Sequence, residues 1–140
     1  MKILLDTNVV LDLLMDRLPF ANAAAELFSK VEEGAITGYL CGSTVTTVHY
    51  LASKAVGAAR AQEEIRKLLQ LFDVAPVNRQ VLESALSSGF SDFEDAVIHR
   101  AACHVGAEAI VTRNLKDFKK SRIPVYSSDE MAKIVGEMIG

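Results

Sequence analysis

Several features are scarce or absent in this sequence of 140 residues. It has no tryptophan, three prolines and two cysteines, Cys41 and Cys103. So few cysteines in a half-hydrophobic chain favour buried, reduced thiols over a disulfide framework or a cysteine metal site. No apolar run approaches the roughly 20 residues of a membrane span. One lysine precedes the first apolar run, unlike a secretion signal, so we expect a cytoplasmic protein with no membrane partner.

An excess of positive charge is also missing. Fifteen Lys and Arg against 18 Asp and Glu give a formal net charge of −3, which argues against nucleic-acid binding through overall charge. Positive charge is instead concentrated in one segment that contains a single acid, Asp117. Its basic residues are Arg113, Lys116, Lys119, Lys120 and Arg122. Such a cluster is either a solvated surface or a site that contacts phosphates.

Short apolar runs alternate with segments of helical periodicity along the whole chain, which predicts a single domain over residues 1–140. The predicted strands span residues 2–5, 35–40, 73–76, 109–112 and 125–126. The predicted helices span residues 9–15, 22–33, 44–55, 58–71, 78–89, 93–105 and 131–138. This alternation is typical of a parallel sheet covered by helices on both faces.

Polar residues at the predicted helix starts indicate N-caps. Thr7 or Asn8 is expected to cap the first helix, Asp92 the sixth, and Ser128 or Asp129 the last. Capping is also the plain alternative to a catalytic role for Asp6 and Asp92, because Asp commonly occupies such positions.

Acidic residues follow the first and fourth predicted strands and open the sixth helix. Asp6 ends the first strand, Asp92 and Asp95 begin the helix, and Asp117 follows Thr112. If the two strands are neighbours, these acids converge at the carboxyl edge of the sheet, where α/β proteins bind ligands. Carboxylates that repel one another require a cation. Oxygen ligands select Mg²⁺ or Mn²⁺, which can activate water for displacement at phosphorus.

Alternatives remain for two further residues. Asp117 could pair with a neighbouring Lys or Arg on a surface turn. His99 lies one helical turn after Asp95 and could join it in a transition-metal site. Because no second histidine shares that face, we interpret His99 as an ordinary residue of the helix surface.

Three motifs together resemble the PIN domain, a nuclease domain typified by the toxins of VapBC toxin–antitoxin systems. They read LLDTNVVLD, DFEDAVIHRAACHVGAEAIVTRN and KDF. The resemblance extends from Met1 to about Ser128. It implies a three-layer α/β/α fold with about five parallel strands, homodimers and a metal-dependent ribonuclease site. It places the first catalytic acid at Asp6, the helix acid at Asp95 and a secondary acid at Asp92.

Two departures from the family pattern bear on activity. The segment GSTVTTVHYLASK contains no acid where the family often has a Glu, and Asn114 stands where an acid often follows the Thr of the fourth strand. These departures favour an alternative, a catalytically weak or inactive module that binds RNA or a protein. A haloacid-dehalogenase-type phosphatase is disfavoured, because Asn8 stands where that chemistry needs an Asp.

The sequence therefore predicts a Mg²⁺- or Mn²⁺-dependent endoribonuclease, with a toxin held by a protein antitoxin as one form of it. The predicted metal ligands are Asp6 and Asp95. The other predicted catalytic residues are Asp92, Asn114 and Asp117. The residues predicted to bind RNA are Arg113, Lys116, Lys119 and Lys120.

Overall fold

The computed structural model describes residues 1–139 as five strands, seven α-helices and one short 3₁₀ helix. The strands are β1 (Lys2–Leu5), β2 (Thr37–Cys41), β3 (Asp73–Ala75), β4 (Ala109–Val111) and β5 (Val125–Tyr126). The α-helices are α1 (Thr7–Leu14), α2 (Ala21–Glu32), α3 (Gly42–Val56), α4 (Ala58–Leu71), α5 (Arg79–Leu86), α6 (Phe93–His104) and α7 (Ser128–Ile139). The 3₁₀ helix, Leu115–Phe118, follows β4.

The strands form one parallel sheet in the order β3-β2-β1-β4-β5. β1 lies at the centre, and Leu5 is in register with Leu40 of β2 and with Val111 of β4. The expectation that the first and fourth strands are neighbours is therefore confirmed. As a result, the residues that follow β1 and β4 emerge side by side at the carboxyl edge of the sheet.

Alternate side chains of β1 enter two separate hydrophobic cores, one on each face of the sheet. Ile3 and Leu5 pack with residues of α1, α2 and α7, whereas Leu4 packs with residues of α5 and α6. Burial on both faces explains why residues 3–5 of β1 and all of β4 are uninterrupted apolar runs rather than alternating patterns. The fold is thus the three-layer α/β/α arrangement with five parallel strands that the PIN resemblance implied.

Most predicted elements are present with shifted ends, but two predicted caps are wrong. Asp6, rather than Thr7 or Asn8, caps α1, because its Oδ1 accepts a hydrogen bond from the Thr7 backbone N–H at 2.8 Å. At α7 the Ser127 Oγ accepts from the Glu130 N–H while the Glu130 Oε1 accepts from the Ser127 N–H. This reciprocal pair is a capping box, and it begins the helix three residues before the predicted Met131.

Both cysteines are free thiols; Cys41 is buried as the sequence predicted, whereas Cys103 is only half-buried. Within residues 1–139, no helix has the length and apolar character needed to cross a membrane.

Candidate active site

Asp6 lies directly after β1, where its backbone N–H donates to the Val111 carbonyl at 2.9 Å. Its side chain is only 4% exposed. The Oδ1 atom accepts from the Thr7 N–H at 2.8 Å, and the Oδ2 atom accepts from the Thr112 hydroxyl at 2.8 Å. Burial raises the pKa of Asp6, and these two hydrogen bonds oppose that rise. Neutral donors thus hold a buried carboxylate in a fixed orientation.

Asp92 and Asp95 are positioned by the start of α6. Asp92 is the predicted N-cap, and its Oδ1 accepts from the Asp95 N–H at 2.9 Å. The partly buried Asp95 has a pKa raised to about 7, mainly by burial and then by the negative charges of Asp92, Asp6, Asp117 and Glu94. The acids from β1, α6 and the segment after β4 therefore act on one another electrostatically across the carboxyl edge of the sheet.

Thr112 connects Asp6 to the segment after β4. Its hydroxyl donates to Asp6 and accepts from the Asn114 N–H at 3.0 Å. The carbonyl of Asn114 in turn accepts from the Asp117 N–H at 3.0 Å, within the short 3₁₀ helix. Asn114 and Asp117 are exposed, so their polar groups can reach a molecule bound at this edge.

Pairing of Asp117 with a neighbouring cation, the alternative left open by the sequence, is not observed. Among residues 1–139, Asp117 takes part in no salt bridge.

The chemistry of the donors fits a hard divalent cation. Asp6 and Asp95 offer only oxygen ligands, and crowding of negative charge is among the causes that raise their pKa values. No cluster of three or more His, Cys, Asp or Glu side chains in residues 1–139 is spaced to hold an ion. Two carboxylates suffice for Mg²⁺, which usually keeps several water ligands. Asp6 and Asp95 would therefore hold a largely hydrated ion.

The helix after β2 contacts the residue that follows Asp6 through a hydroxyl group. Thr44 of α3 is fully buried, and its Oγ1 lies 3.0 Å from the Oγ1 of Thr7, the residue after Asp6. The helix contains no acid, as the sequence showed for the segment where the resemblance led us to look for a Glu. The contact between the two threonines fixes α3 against the start of α1.

The predicted basic cluster divides into two parts. Arg113 turns towards α1, where its Nε lies 2.9 Å from Oδ2 of Asp12 and its guanidinium lies 4.2 Å from the centre of the Phe20 ring. The lysines remain exposed and line a cleft of about 210 Å³ next to Asp117. The cleft is lined by Gly89, Phe90, Ser91, Lys116, Asp117, Lys119 and Lys120. A larger groove of about 880 Å³ lies between α2 and α7, and none of Asp6, Asp92, Asp95 and Asp117 lines it.

The interpretation of His99 as a surface residue is wrong. His99 is 1% exposed, its ring stacks on Phe90 with 4.8 Å between centroids, and its Nε2 accepts from the Arg122 N–H at 3.0 Å. Burial, followed by the charges of Arg100 and Arg122, lowers its pKa to about 4. His99 is therefore a neutral core residue, and its hydrogen bond with the Arg122 backbone holds the end of the basic segment against α6. Its helical spacing from Asp95 did not reveal this burial.

The fold and these acids define a small α/β domain with an acidic site at the carboxyl edge of its sheet. A family model described as PIN domain matches residues 2–116. The chain belongs to the PIN domain family, whose members are nucleases that generally use divalent metal ions. No curated protein sequence matches the chain significantly.

Solved structures with the same fold include three from bacterial toxin–antitoxin systems. A toxin–antitoxin complex from Klebsiella pneumoniae is 26% identical with a TM-score of 0.66, covering 89% of this chain and 96% of that one. VapBC-1 from nontypeable Haemophilus influenzae is 17% identical with a TM-score of 0.69, covering 92% and 99%. VapBC2 from Rickettsia felis, bound to promoter DNA, is 16% identical with a TM-score of 0.68, covering 91% and 98%.

Proposed function

We propose that this protein is a cytoplasmic, Mg²⁺- or Mn²⁺-dependent endoribonuclease that hydrolyses RNA phosphodiester bonds. The observation that carries the proposal is the convergence of acids from three separate segments around Asp95. Burial and the charges of these acids raise the pKa of Asp95 to about 7. Helix capping accounts for Asp92 but not for this convergence of acids. Among residues 1–139 neither Asp6 nor Asp95 forms a salt bridge, and a site that concentrates negative charge in this way is suited to a divalent metal.

The five predicted catalytic residues have three tasks in this proposal. Asp6 and Asp95 hold the ion, and Asp92 fixes the start of α6 beneath Asp95. When bound, the ion supplies an activated water and stabilises charge that develops on the phosphate. Asn114 and Asp117 orient water from the exposed loop.

The lysine cleft is proposed to bind the RNA backbone. Lys116, Lys119 and Lys120 border it beside Asp117, so phosphates next to the cleaved bond can contact cations while the acids face the reacting one. The Arg113 side chain is already paired with Asp12, so we expect it to contribute less to RNA binding than the lysines.

We further propose that the protein is the toxin of a toxin–antitoxin pair, bound by a protein antitoxin and forming a homodimer. The support is the shared fold with the Klebsiella, Haemophilus and Rickettsia proteins and the preference of soluble oligomers for twofold symmetry. Light scattering should give the mass of a dimer at roughly tens of micromolar, a range in which weak interfaces are filled. A monomer at that concentration would contradict the dimer.

Calorimetry with Mn²⁺ and cleavage of a labelled single-stranded RNA test the nuclease directly. We expect wild type to bind Mn²⁺ and to cleave RNA only when the metal is present. Asp6→Asn should abolish most binding and lower the cleavage rate by about a hundredfold or more, because the substitution removes a charged ligand. Glu83→Gln, on the exposed face of α5, is the matched control and should behave as wild type.

A second candidate function is favoured by one observation. Helix α3 contains no acid and Asn114 follows β4, two places where the family resemblance led us to look for acids, and a poorer ligand set weakens catalysis. A module of this kind would bind RNA or a protein partner without cutting RNA. RNA binding with no metal-dependent cleavage by wild type would establish this alternative over the nuclease.

A further inference from the structure

Asp12 and Arg113 form an ion pair that joins α1 to the loop after β4. Asp12 is fully buried, and the Arg113 Nε lies 2.9 Å from its Oδ2. Arg17 reaches only to 4.0 Å of the other carboxylate oxygen. Burial raises the pKa of Asp12, whereas the charges of Arg113 and Arg17 lower it. Arg113 is therefore the main counter-charge of a carboxylate that has no access to water.

Arg113 is held by two further contacts. Its backbone N–H donates to Oδ1 of Asn8 at 3.4 Å, and its guanidinium stacks over the Phe20 ring. Asn8 and Asp12 are one helical turn apart on α1, so backbone and side chain of Arg113 are bound to the same helix. This arrangement fixes both the location and the direction of the residue.

The neighbours of Arg113 are the groups that contact the acidic site. Thr112 precedes it and donates to Asp6, and Asn114 follows it and donates its N–H back to Thr112. From Arg113 to Asp117 every residue is exposed, so little apolar burial holds this stretch in place. Segments with few buried contacts open readily. The ion pair thus ties the start of the loop to α1, while buried Phe118 anchors the other end of the segment in the core.

We infer that Asp12 and Arg113 are positioning residues of the acidic site, acting through Thr112 and Asn114 rather than by touching substrate. This role rests on the proposed nuclease function. Without the pair, the Thr112 hydroxyl and the loop of Asn114 and Asp117 would no longer be set against Asp6. The competing explanation is that Arg113 contacts an RNA phosphate directly, which would give Asp12 no independent importance for catalysis.

Two variants separate these explanations. Asp12→Asn keeps the shape of the buried side chain and the cation of Arg113 while removing their attraction. Asp12→Asn/Arg113→Met removes both charges, which avoids the unpaired buried carboxylate that Arg113→Met alone would leave. Arg79→Met is the matched control, since it breaks an exposed ion pair with Glu83 on α5. Thermal melting first verifies that each variant is folded.

The readouts are hydrogen exchange at the amides of Asn114 and Asp117, Mn²⁺ affinity, and the kinetics of RNA cleavage. In both test variants we expect exchange at these amides to be faster by about tenfold. Mn²⁺ affinity should fall by about tenfold, as when groups that orient metal ligands are changed. We expect kcat to fall by about ten- to a hundredfold, with KM for Asp12→Asn within about twofold of wild type. Arg79→Met should change none of these.

Three results would overturn the inference. The first is native exchange at Asn114 and Asp117 in folded variants. The second is fast exchange with wild-type Mn²⁺ affinity and kcat, which would reduce the pair to a structural contact. The third is a raised KM with unchanged kcat, which would assign Arg113 to RNA binding. If wild type neither binds Mn²⁺ nor cleaves RNA, the proposed function fails, and the exchange data alone decide whether the pair positions the loop.

Discussion

Asp6 and Asp12 lie at the start and near the end of the same helical segment, and both are buried, but their surroundings differ. Asp12 has a guanidinium at 2.9 Å, whereas Asp6 is bound only by an N–H and a hydroxyl. Among residues 1–139, no Lys, Arg or His nitrogen forms a salt bridge with Asp6. Other carboxylates, Glu94 and Asp117, instead help to raise its pKa.

This difference distinguishes a structural acid from a candidate catalytic one. A buried charge costs free energy unless an opposite charge and hydrogen bonds compensate for it. The protein supplies that charge to Asp12 from its own chain. At Asp6 and Asp95 the compensation must come from a proton or from a bound cation. Removing the charge of Asp6 and removing the charge of Asp12 should therefore change the stability of the protein in opposite directions.

The largest expected effect comes from breaking the Asp12 pair from one side. Arg113→Met leaves a buried carboxylate with only the more distant Arg17 as counter-charge and should lower the free energy of unfolding by on the order of 3 kcal/mol. Urea denaturation monitored by circular dichroism would measure the decrease. The exposed pair at Arg79 and Glu83 supplies the control, because Arg79→Met should cost under about 1 kcal/mol. Similar decreases in the two variants would show that Asp12 does not depend on Arg113.

The next largest effect is the dependence of stability on pH and on bound metal, which we attribute to Asp95. Its pKa is about 7 in the folded protein and about 3.9 in an unfolded chain, so the folded state binds more protons between these values. Without metal, this group therefore lowers stability as pH rises from about 4 to about 7. Mn²⁺ at roughly 100 times its Kd should restore about 2.7 kcal/mol. The gain should be larger at pH 8 than at pH 5.5, because protons no longer compete.

Thermal melts from pH 4.5 to 8, with and without Mn²⁺, measure this dependence, and Asp95→Asn is the control. His99 contributes a trend of opposite sign. Its pKa is lowered to about 4, so its contribution to stability is lost as pH falls from about 6.5. The difference between wild type and Asp95→Asn cancels the His99 contribution. A pH-independent difference would refute the assignment of this titration to Asp95.

A smaller effect is expected when the stabilities of Asp6→Asn and Asp12→Asn are compared in the absence of metal. Asp6→Asn removes a buried charge that has no counter-ion. Its single acceptor oxygen can serve only one of the Thr7 N–H and the Thr112 hydroxyl, so the rise in stability at pH 7 should be limited to about 1 kcal/mol. Asp12→Asn should instead lower stability, since it takes the partner from Arg113. Differential scanning calorimetry in EDTA provides both values. Shifts of the same sign would contradict the distinction between the two acids.

The smallest expected effect concerns RNA binding by the three lysines of the cleft beside Asp117. Neutralising Lys116, Lys119 and Lys120 to Gln should flatten the salt dependence of RNA affinity by about 0.7 for each phosphate that the protein no longer binds, up to about 2 in total. Fluorescence anisotropy at several salt concentrations measures the slope, and Mn²⁺ binding should persist in the triple variant. An unchanged slope would assign the lysine cleft to ordinary solvated surface.

Much of the fold follows from patterns within a few residues of each other. Strand β5 and helix α4 have the predicted bounds, and Asp92 caps its helix as expected. Apolar spacing and capping are local properties, so a sequence displays them directly. The caps of α1 and α7 were missed because several adjacent residues could serve, and only the turn geometry selects Asp6 and Ser127.

The acidic residues were found for the same reason, since each stands at the end of a strand or the start of a helix. The sequence by itself determined which elements form, and it named Asp6 and Asp95 as the residues to examine. The hydrogen bond from Thr112 to Asp6 depends on β1 lying next to β4, a pairing between segments over 100 residues apart. Tertiary structure alone decided that Arg113 pairs with Asp12, that Thr44 contacts Thr7 and that His99 is buried. These contacts join distant parts of the chain, and no local periodicity encodes which distant residue will neutralise or cover a given side chain.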